Sequence, residues 1–196
     1  MILKTAERKQ LNAIAITDHN TIAGGIEVLR VCREIKSPVK VIVGAEILTN
    51  IGDIVTLFIN EEIKSKDVLE VIDEVRGQGG LVVVPHPYKS HKLKDLWNII
   101  DRVDMVEIAN SRSPITKEKA CFLETLNKTL VGSSDAHFPQ EIGLSRTIID
   151  SCDVMNAEQI KTILLNPSEV RAYGETGSRF FQYFSQIVKA VKTMTL

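Results

Sequence analysis

Four runs of small and β-branched residues, each closing on a polar word, constrain this chain more than any other feature. Ala13-Ile14-Ala15-Ile16 leads into Thr17-Asp18-His19, and Val39-Lys40-Val41-Ile42-Val43 leads into Gly44-Ala45-Glu46. Leu81-Val82-Val83-Val84 leads into Pro85-His86-Pro87, and Thr129-Leu130-Val131 runs toward Ser134-Asp135-Ala136-His137. Runs of this kind, without polar alternation, read as parallel strands covered on both sides, because alternation disappears when both faces are buried. In sheets built from βα units, side chains at the carboxyl ends of the strands converge on one face, and ligands bind there. Four words far apart in sequence are therefore expected to meet.

Helical periods fill the intervals. Residues 21–36 place Val28, Val31, Cys32 and Ile35 on one stripe, and residues 65–76 do the same with Val68, Leu69, Ile72 and Val75. Thr21 and Ser65 are the expected N-caps, and Gly77 with Gly79-Gly80 ends the second helix. Between them, residues 47–49 and 53–59 read as a strand pair turned at Asn50-Ile51-Gly52. Further helices are expected over 93–101, 116–127 and 156–165, the last opening on an Asn156/Gln159 capping box. Residues 105–108, 146–149 and 170–172 fill the remaining strand slots. The count is that of an α/β, barrel-like βα fold, expected as one barrel domain over residues 1–175.

Composition excludes several classes. The 196 residues are 44% hydrophobic and 25% charged with a net charge of −1, ordinary for a globular domain and unsuited to nonspecific, phosphate-neutralising nucleic-acid binding. No stable nucleic-acid complex is expected. Cys32, Cys121 and Cys152 form no CxxC pair, so neither a zinc knuckle nor a disulfide framework is indicated. No signal-type segment opens the chain and no apolar stretch reaches the roughly 20 residues of a membrane span. A cytoplasmic protein without membrane attachment is the expectation.

The polar words define the chemistry. His19, His86 and His137 offer imidazoles, while Glu46 and Asp135 offer carboxylates; mixed nitrogen and oxygen ligation suits zinc, manganese or iron rather than calcium. Glu46 is the natural bridge between two cations, and metals about 3.5–4 Å apart can activate water while clamping a phosphoryl oxygen. Asp135 and His137, two apart, would point the same way in a strand. Each word alone has a bland reading as a cap or loop. Recurrence carries the inference: three of the four histidines follow strands in successive units. Asn110 and Arg112 follow another strand, where a guanidinium could hold phosphate in two parallel hydrogen bonds or simply pair with a carboxylate.

The chain resembles the PHP (polymerase and histidinol phosphatase) domain family of metal-dependent phosphoesterases, in its small stand-alone form. The resemblance rests on residues 16–21, Gly44-Ala45-Glu46, Pro85-His86-Pro87-Tyr88, residues 107–112, residues 132–137 and Glu141-Ile142-Gly143, in family order. It implies a distorted (β/α)7 PHP-type barrel holding up to three divalent metal ions (Mn, Zn or Fe). It maps His19, Glu46, His86, Asp135 and His137 onto ligand positions. By the same resemblance Asp18 orients His19 from behind, Glu141 braces the loop carrying Asp135 and His137, and His91 or Lys92 stands where relatives place a phosphate-binding arginine. The implied activity is hydrolysis of phosphate esters by metal-activated water, on small phosphomonoesters, nucleotides or short oligonucleotides. An amidohydrolase would add a metal-bridging lysine after a strand, and none stands there.

One departure matters. Family members open with a strand ending in His-x-His, and no such motif occurs here; residues 1–11 already read as the helix that follows it. The expectation is a barrel missing its first strand, with fewer cations bound. One cation would keep only Glu46 and Asp135, a second Glu46 and His86, a third His19 and His137. A catalytically impaired domain acting as a metal-binding or interaction module is the alternative, and a second copy could cover the gap as a homo-oligomer. Residues 176–196, with Phe180, Phe181, Phe184, Ile187, Val188, Val191 and Met194 at helical spacing, read as an amphipathic helix packed on the barrel.

Overall fold

The computed structural model describes residues 1–89, 97–150 and 156–177. The expected C-terminal helix falls almost wholly outside them, as do His91, Lys92 and Cys152.

Six strands form one curled half-barrel sheet in simple sequence order: β1 (Ala13–His19), β2 (Lys40–Thr49), β3 (Gly52–Leu57), β4 (Leu81–Val84), β5 (Met105–Asn110) and β6 (Thr129–Ser133). β1, β2, β4, β5 and β6 run the same way, and β3 alone is reversed. β7 (Arg146–Ile149) and β8 (Val170–Tyr173) make a separate antiparallel hairpin. β1 is the terminal strand of the sheet, with no strand paired to its outer edge among the described residues. Among the described residues the architecture is a six-stranded half-barrel sheet and a hairpin, which does not make up a count of seven βα units.

The reversal at β3 comes from the Asn50-Ile51 turn, as the sequence indicates. It corrects one detail: Gly44-Ala45-Glu46 does not end a strand but lies within the ten-residue β2, which continues into the hairpin. Gly44 is required there, since a Cβ would stand 2.1 Å from the Thr56 carbonyl oxygen.

Helices cover the sheet. α1 (Ile2–Arg8) and α2 (Ala23–Glu34) pack on β1 and β2 through Leu3, Ala6, Cys32, Val39 and Val41. α3 (Val68–Gly77) and α4 (Lys117–Glu124) cover the outer face around Val71, Val75, Val82, Val84, Val106 and Leu123. The inner face, with Ile42, Leu81, Val83, Met105 and Val131, is filled by Ile160 and Leu164 of α5 (Ala157–Leu164). These inner residues include the first residues of β4 and β5, so α5 plugs the amino end of the half-barrel and leaves the carboxyl end open. Both faces of β4 are thereby buried, which is why its sequence is an unbroken apolar run.

One expected cap is replaced and another is joined by a remote group. Asp67, not Ser65, caps α3 by accepting from the Leu69 and Glu70 amides, while the Ser65 hydroxyl accepts from the Asp67 amide. At α2 the Glu62 carboxylate, from the loop before α3, accepts from the Ile22 amide and the Thr21 hydroxyl. Thr21 Oγ1 itself accepts from the Ala23 amide at 3.1 Å, so the expected threonine and a remote carboxylate share this helix start, where negative charge meets the positive end of the dipole. The Asn156/Gln159 capping box of α5 is present.

The hairpin packs on β6 through Val170 and Ile149 against Val131, and one hydroxyl adds hydrogen bonds. Thr147 Oγ1 accepts from the Gly132 amide at 3.1 Å and donates to the Gly132 carbonyl at 3.0 Å. Gly132 has no room for a Cβ, which would fall 2.7 Å from the Arg146 carbonyl oxygen. Thr147→Val keeps the shape and removes both bonds, so urea denaturation should show a loss of about 1–3 kcal/mol, the cost of leaving buried backbone groups unpaired.

Candidate metal centre

The open carboxyl end gathers the polar words. His19 stands opposite Glu46 in the parallel register of β1 and β2, and His19 Nδ1 lies 3.3 Å from Glu46 Oε2. The other carboxylate oxygen, Oε1, is 3.1 Å from His86 Nε2. Glu46 therefore sits between two imidazoles, with 12% of its side chain exposed.

A third donor comes from β3. The tight turn pairs Leu48 with Asp53 and Glu46 with Val55, so Asp53 and Glu46 project from the same face. Ligand atoms of Glu46, Asp53 and His86 all lie within 4.8 Å of one another. Sequence reasoning passed over Asp53. The signal was available, because Asp53 shares an inward register with Val55 and Leu57, where an acid needs a partner. Two carboxylates and one imidazole fit a divalent cation of the zinc, manganese or iron type.

The remaining residues form a rim. The His137 and His19 rings are 6.2 Å apart between centroids. His137 Nδ1 is 3.1 Å from the Asp135 carbonyl oxygen and 3.7 Å from Asp135 Oδ1. Lys89 Nζ lies 4.0 Å from Asp135 Oδ2. Asp18 projects from the opposite face of β1 to His19. Its carboxylate lies against α2, where a Cβ on Gly24 would come within 1.8 Å of Oδ2.

Two buried carboxylates hold these groups in place. Glu107 on β5 accepts from the His86 amide at 2.6 Å, from Asn110 Nδ2 at 2.8 Å and from the Ser133 hydroxyl. It thereby ties together the carboxyl ends of β4, β5 and β6. Asn110 Oδ1 in turn accepts from the Arg112 and Ser113 amides, both at 2.8 Å, so this side chain shapes the loop after β5. Glu141, fully buried, takes Arg112 Nη1 on both oxygens at 2.9 Å and also accepts from the His137 and Phe138 amides. Of the two roles open to Arg112, the geometry shows pairing with a carboxylate, in the interior rather than at the surface.

Two residues of the site carry backbone strain. His86 has φ +28° and Asp135 φ +48°, conformations that cost an L-residue about 1–2 kcal/mol each. The Glu107 carboxylate on the His86 amide offsets this cost.

The titrations follow from burial and neighbours. Burial pushes the Glu46 carboxyl up, but the His86 hydrogen bond and the nearby His19 outweigh it and hold Glu46 below its usual range. Burial pushes the His86 imidazole down, yet the Glu46 hydrogen bond and the Glu107 charge leave it raised. Burial dominates at Glu107 and raises its carboxyl despite three donors.

A profile of the PHP domain matches residues 1–142. The uncharacterized protein MJ0417 of Methanocaldococcus jannaschii is 32% identical over 183 residues, covering 76% of this chain and 77% of that protein. The uncharacterized protein MJ1587 of the same organism is 43% identical over 113 residues, covering 56% of this chain and 64% of that protein. A crystal structure of a two-domain protein from Bacteroides vulgatus, described as containing a predicted PHP-like metal-dependent phosphoesterase, superposes with a TM-score of 0.70 at 20% identity. That match covers 89% of this chain and 60% of the Bacteroides chain, so this chain spans less than two thirds of it and of MJ1587. The chain belongs to the PHP domain family.

Two outcomes test the site's construction. Glu141→Gln leaves Arg112 charged, with 7% of its side chain exposed; losing the counterion should cost about 3–5 kcal/mol in urea denaturation. In metal-stripped protein, the raised His86 stabilises fully below its ordinary value of 6.5 and stops doing so as pH rises through its folded value. The lowered Glu46 stabilises above 4.5 and stops as pH falls through its folded value. Their contribution is therefore greatest between pH 4.5 and 6.5. A denaturation midpoint that follows this window in the parent and is flatter in Glu46→Gln is the expected result.

Proposed function

We propose that the chain is a metal-dependent phosphoesterase domain that hydrolyses phosphate esters, with small phosphomonoesters, nucleotides or short oligonucleotides as the substrate class. The observation that carries this reading is the convergence of Glu46, Asp53 and His86 within 4.8 Å, at the open end of a half-barrel rimmed by His19, Asp135 and His137. A bound divalent cation would lower the pKa of water and offset phosphoryl charge. Glu46, Asp53 and His86 would hold it, and His19, Asp135 and His137 offer donors of the same kind beside it.

The chain's own groups supply the rest. Lys89, half-exposed at the rim, can meet a phosphate oxygen. Arg112 is fixed by Glu141 so that its charge stays oriented without conformational freedom to lose on binding. Glu107 keeps His86 from turning away. With Glu46, Asp53 and His86 on the cation, His19, His137 and Asp135 beside it provide groups to take a proton from water and return one to a leaving oxygen.

The protein loaded with manganese or zinc is expected to release phosphate from a generic phosphomonoester. Asp53→Asn should weaken metal binding, read by calorimetry, by at least about 10- to 100-fold, and lower turnover in parallel. Metal bound at full stoichiometry with no hydrolysis of phosphomonoesters or short oligonucleotides would instead support the non-catalytic, metal-binding reading.

A further inference from the structure

Two of the three candidate ligands ride on a ribbon that runs beyond the parallel part of the sheet. β1 ends at His19, opposite Glu46, while β2 continues to Thr49 and returns as β3 through Asp53. The pairing of β3 with β4 begins only at Val55, so among the described residues the ribbon past Glu46 has a neighbouring strand on neither edge. Two-stranded ribbons are marginal unless something packs or bonds them. Ile47 and Ile54 pack its outer face into the core. The inner face, from which Glu46, Leu48 and Asp53 project, lacks such packing, and Leu48 is 58% exposed. Apolar contacts fix the back of the ribbon and leave the side that carries the carboxylates to be set by hydrogen bonds.

Two asparagines and a lysine supply them. Asn20 follows His19 at φ +59°, a left-handed conformation that asparagine visits more readily than most residues, and leads the chain off the ladder toward α2. Its amide donates to the Glu46 carbonyl at 2.8 Å, the last rung between the two segments. Its side-chain Oδ1 then accepts from the Leu48 amide at 3.1 Å, taking the place of the carbonyl that a longer β1 would offer. Asn50 anchors the tip of the ribbon to the start of α3. Its amide donates to the Lys66 carbonyl at 2.9 Å, its Oδ1 accepts from the Val68 amide at 3.0 Å, and its Nδ2 donates to Asp67 at 2.9 Å. Lys66 joins the two anchors, because its ammonium donates to Asn20 Oδ1. That oxygen already serves two donors, which commits it to holding the ribbon rather than to ligating a cation.

We propose that Asn20 is a positioning residue for the candidate metal centre, setting Glu46 and Asp53 in register with His86 so that one cation can meet all three. Its reach to both carboxylates follows from the pairing: Leu48, whose amide it holds, is the cross-strand partner of Asp53 and stands two residues from Glu46. Asn50 and Lys66 hold the other end of the same ribbon. This rests on the metal centre that underlies the phosphoesterase reading and extends it to a side chain that touches neither cation nor substrate.

Cobalt(II) is the probe, since its visible absorption reports ligand geometry as well as occupancy. Asn20→Gly removes the side chain but leaves a residue at ease with positive φ, so it isolates the hydrogen bond. Cobalt affinity by calorimetry is expected to fall about 10-fold or more, the scale on which groups that hold a ligand from behind act, and the absorption band to shift. Asn20→Asp keeps an acceptor in place and should restore both. Asn50→Ala, which frees the other anchor, should move both readouts in the direction of Asn20→Gly. Asn156→Ala uncaps α5 at the opposite end of the half-barrel; it should lower the urea midpoint and leave cobalt binding and spectrum unchanged. Unchanged cobalt binding in Asn20→Gly, absence of rescue in Asn20→Asp, or an equal loss in Asn156→Ala would overturn the proposal. No cobalt binding by the unaltered protein would overturn it together with the metal centre. The expected series of affinities, with no hydrolysis of a phosphomonoester by the unaltered manganese-loaded protein, would sink the phosphoesterase reading and leave the positioning role standing.

Discussion

Burying the Glu107 carboxylate is expensive, and the structure recovers that cost by giving it donors from three different strand ends. The His86 amide, the Asn110 amide group and the Ser133 hydroxyl all converge on it. Because each donor comes from a different strand, satisfying one charge fixes the relative heights of β4, β5 and β6 at their carboxyl ends. His86 is held in a left-handed conformation by this contact, and that conformation sets the direction of the imidazole toward Glu46. The candidate metal centre is thus downstream of a carboxylate that is not one of its ligands. Groups that hold a ligand from behind commonly decide its orientation as much as the ligand itself does.

Glu141 repeats the device one loop later. It neutralises Arg112 and at the same time takes the amides of His137 and Phe138, so the loop after β6 and the loop after β5 are pinned to one another. Arg112 is consequently oriented by the fold rather than by a ligand. Buried ion pairs contribute little net stability but penalise any arrangement that breaks them, which favours a single geometry. At the opposite end α5 fills the half-barrel with Ile160 and Leu164, so packing and chemistry are segregated to the two ends of the same strands.

Much of this was legible beforehand, for reasons specific to particular residues. β4 could be read because Leu81 to Val84 is buried on both faces, leaving no polar position to obscure the run. The metal-type residues could be read because His19 ends β1 and His86 follows β4, each after an apolar run. Asp53 was passed over because an isolated aspartate after a turn usually shapes the turn, and its meaning depends on pairing Leu48 with Asp53 across the hairpin. Glu107 was quoted only as part of a family motif, since a glutamate inside a strand says nothing of its donors until the neighbouring strands are in place. Ser65 was a poor guide to the cap of α3 because Asp67 takes the Leu69 and Glu70 amides with a full charge, and Thr21 told only part of the start of α2, where Glu62 joins it from a distant loop.

The sequence by itself determined the alternation of strands and helices, the face on which polar words would gather, and the family. Those properties follow from local hydrophobic pattern and from residue order, which need no knowledge of partners. Tertiary structure alone decided that Arg112 pairs inward with Glu141, that Asp53 joins Glu46 and His86, and that a threonine hydroxyl bonds the β7–β8 hairpin to β6. Each of these depends on which buried charge or backbone group finds a partner from a distant segment. The cost of leaving such a group unpaired is settled in three dimensions, by contacts that no single stretch of chain encodes.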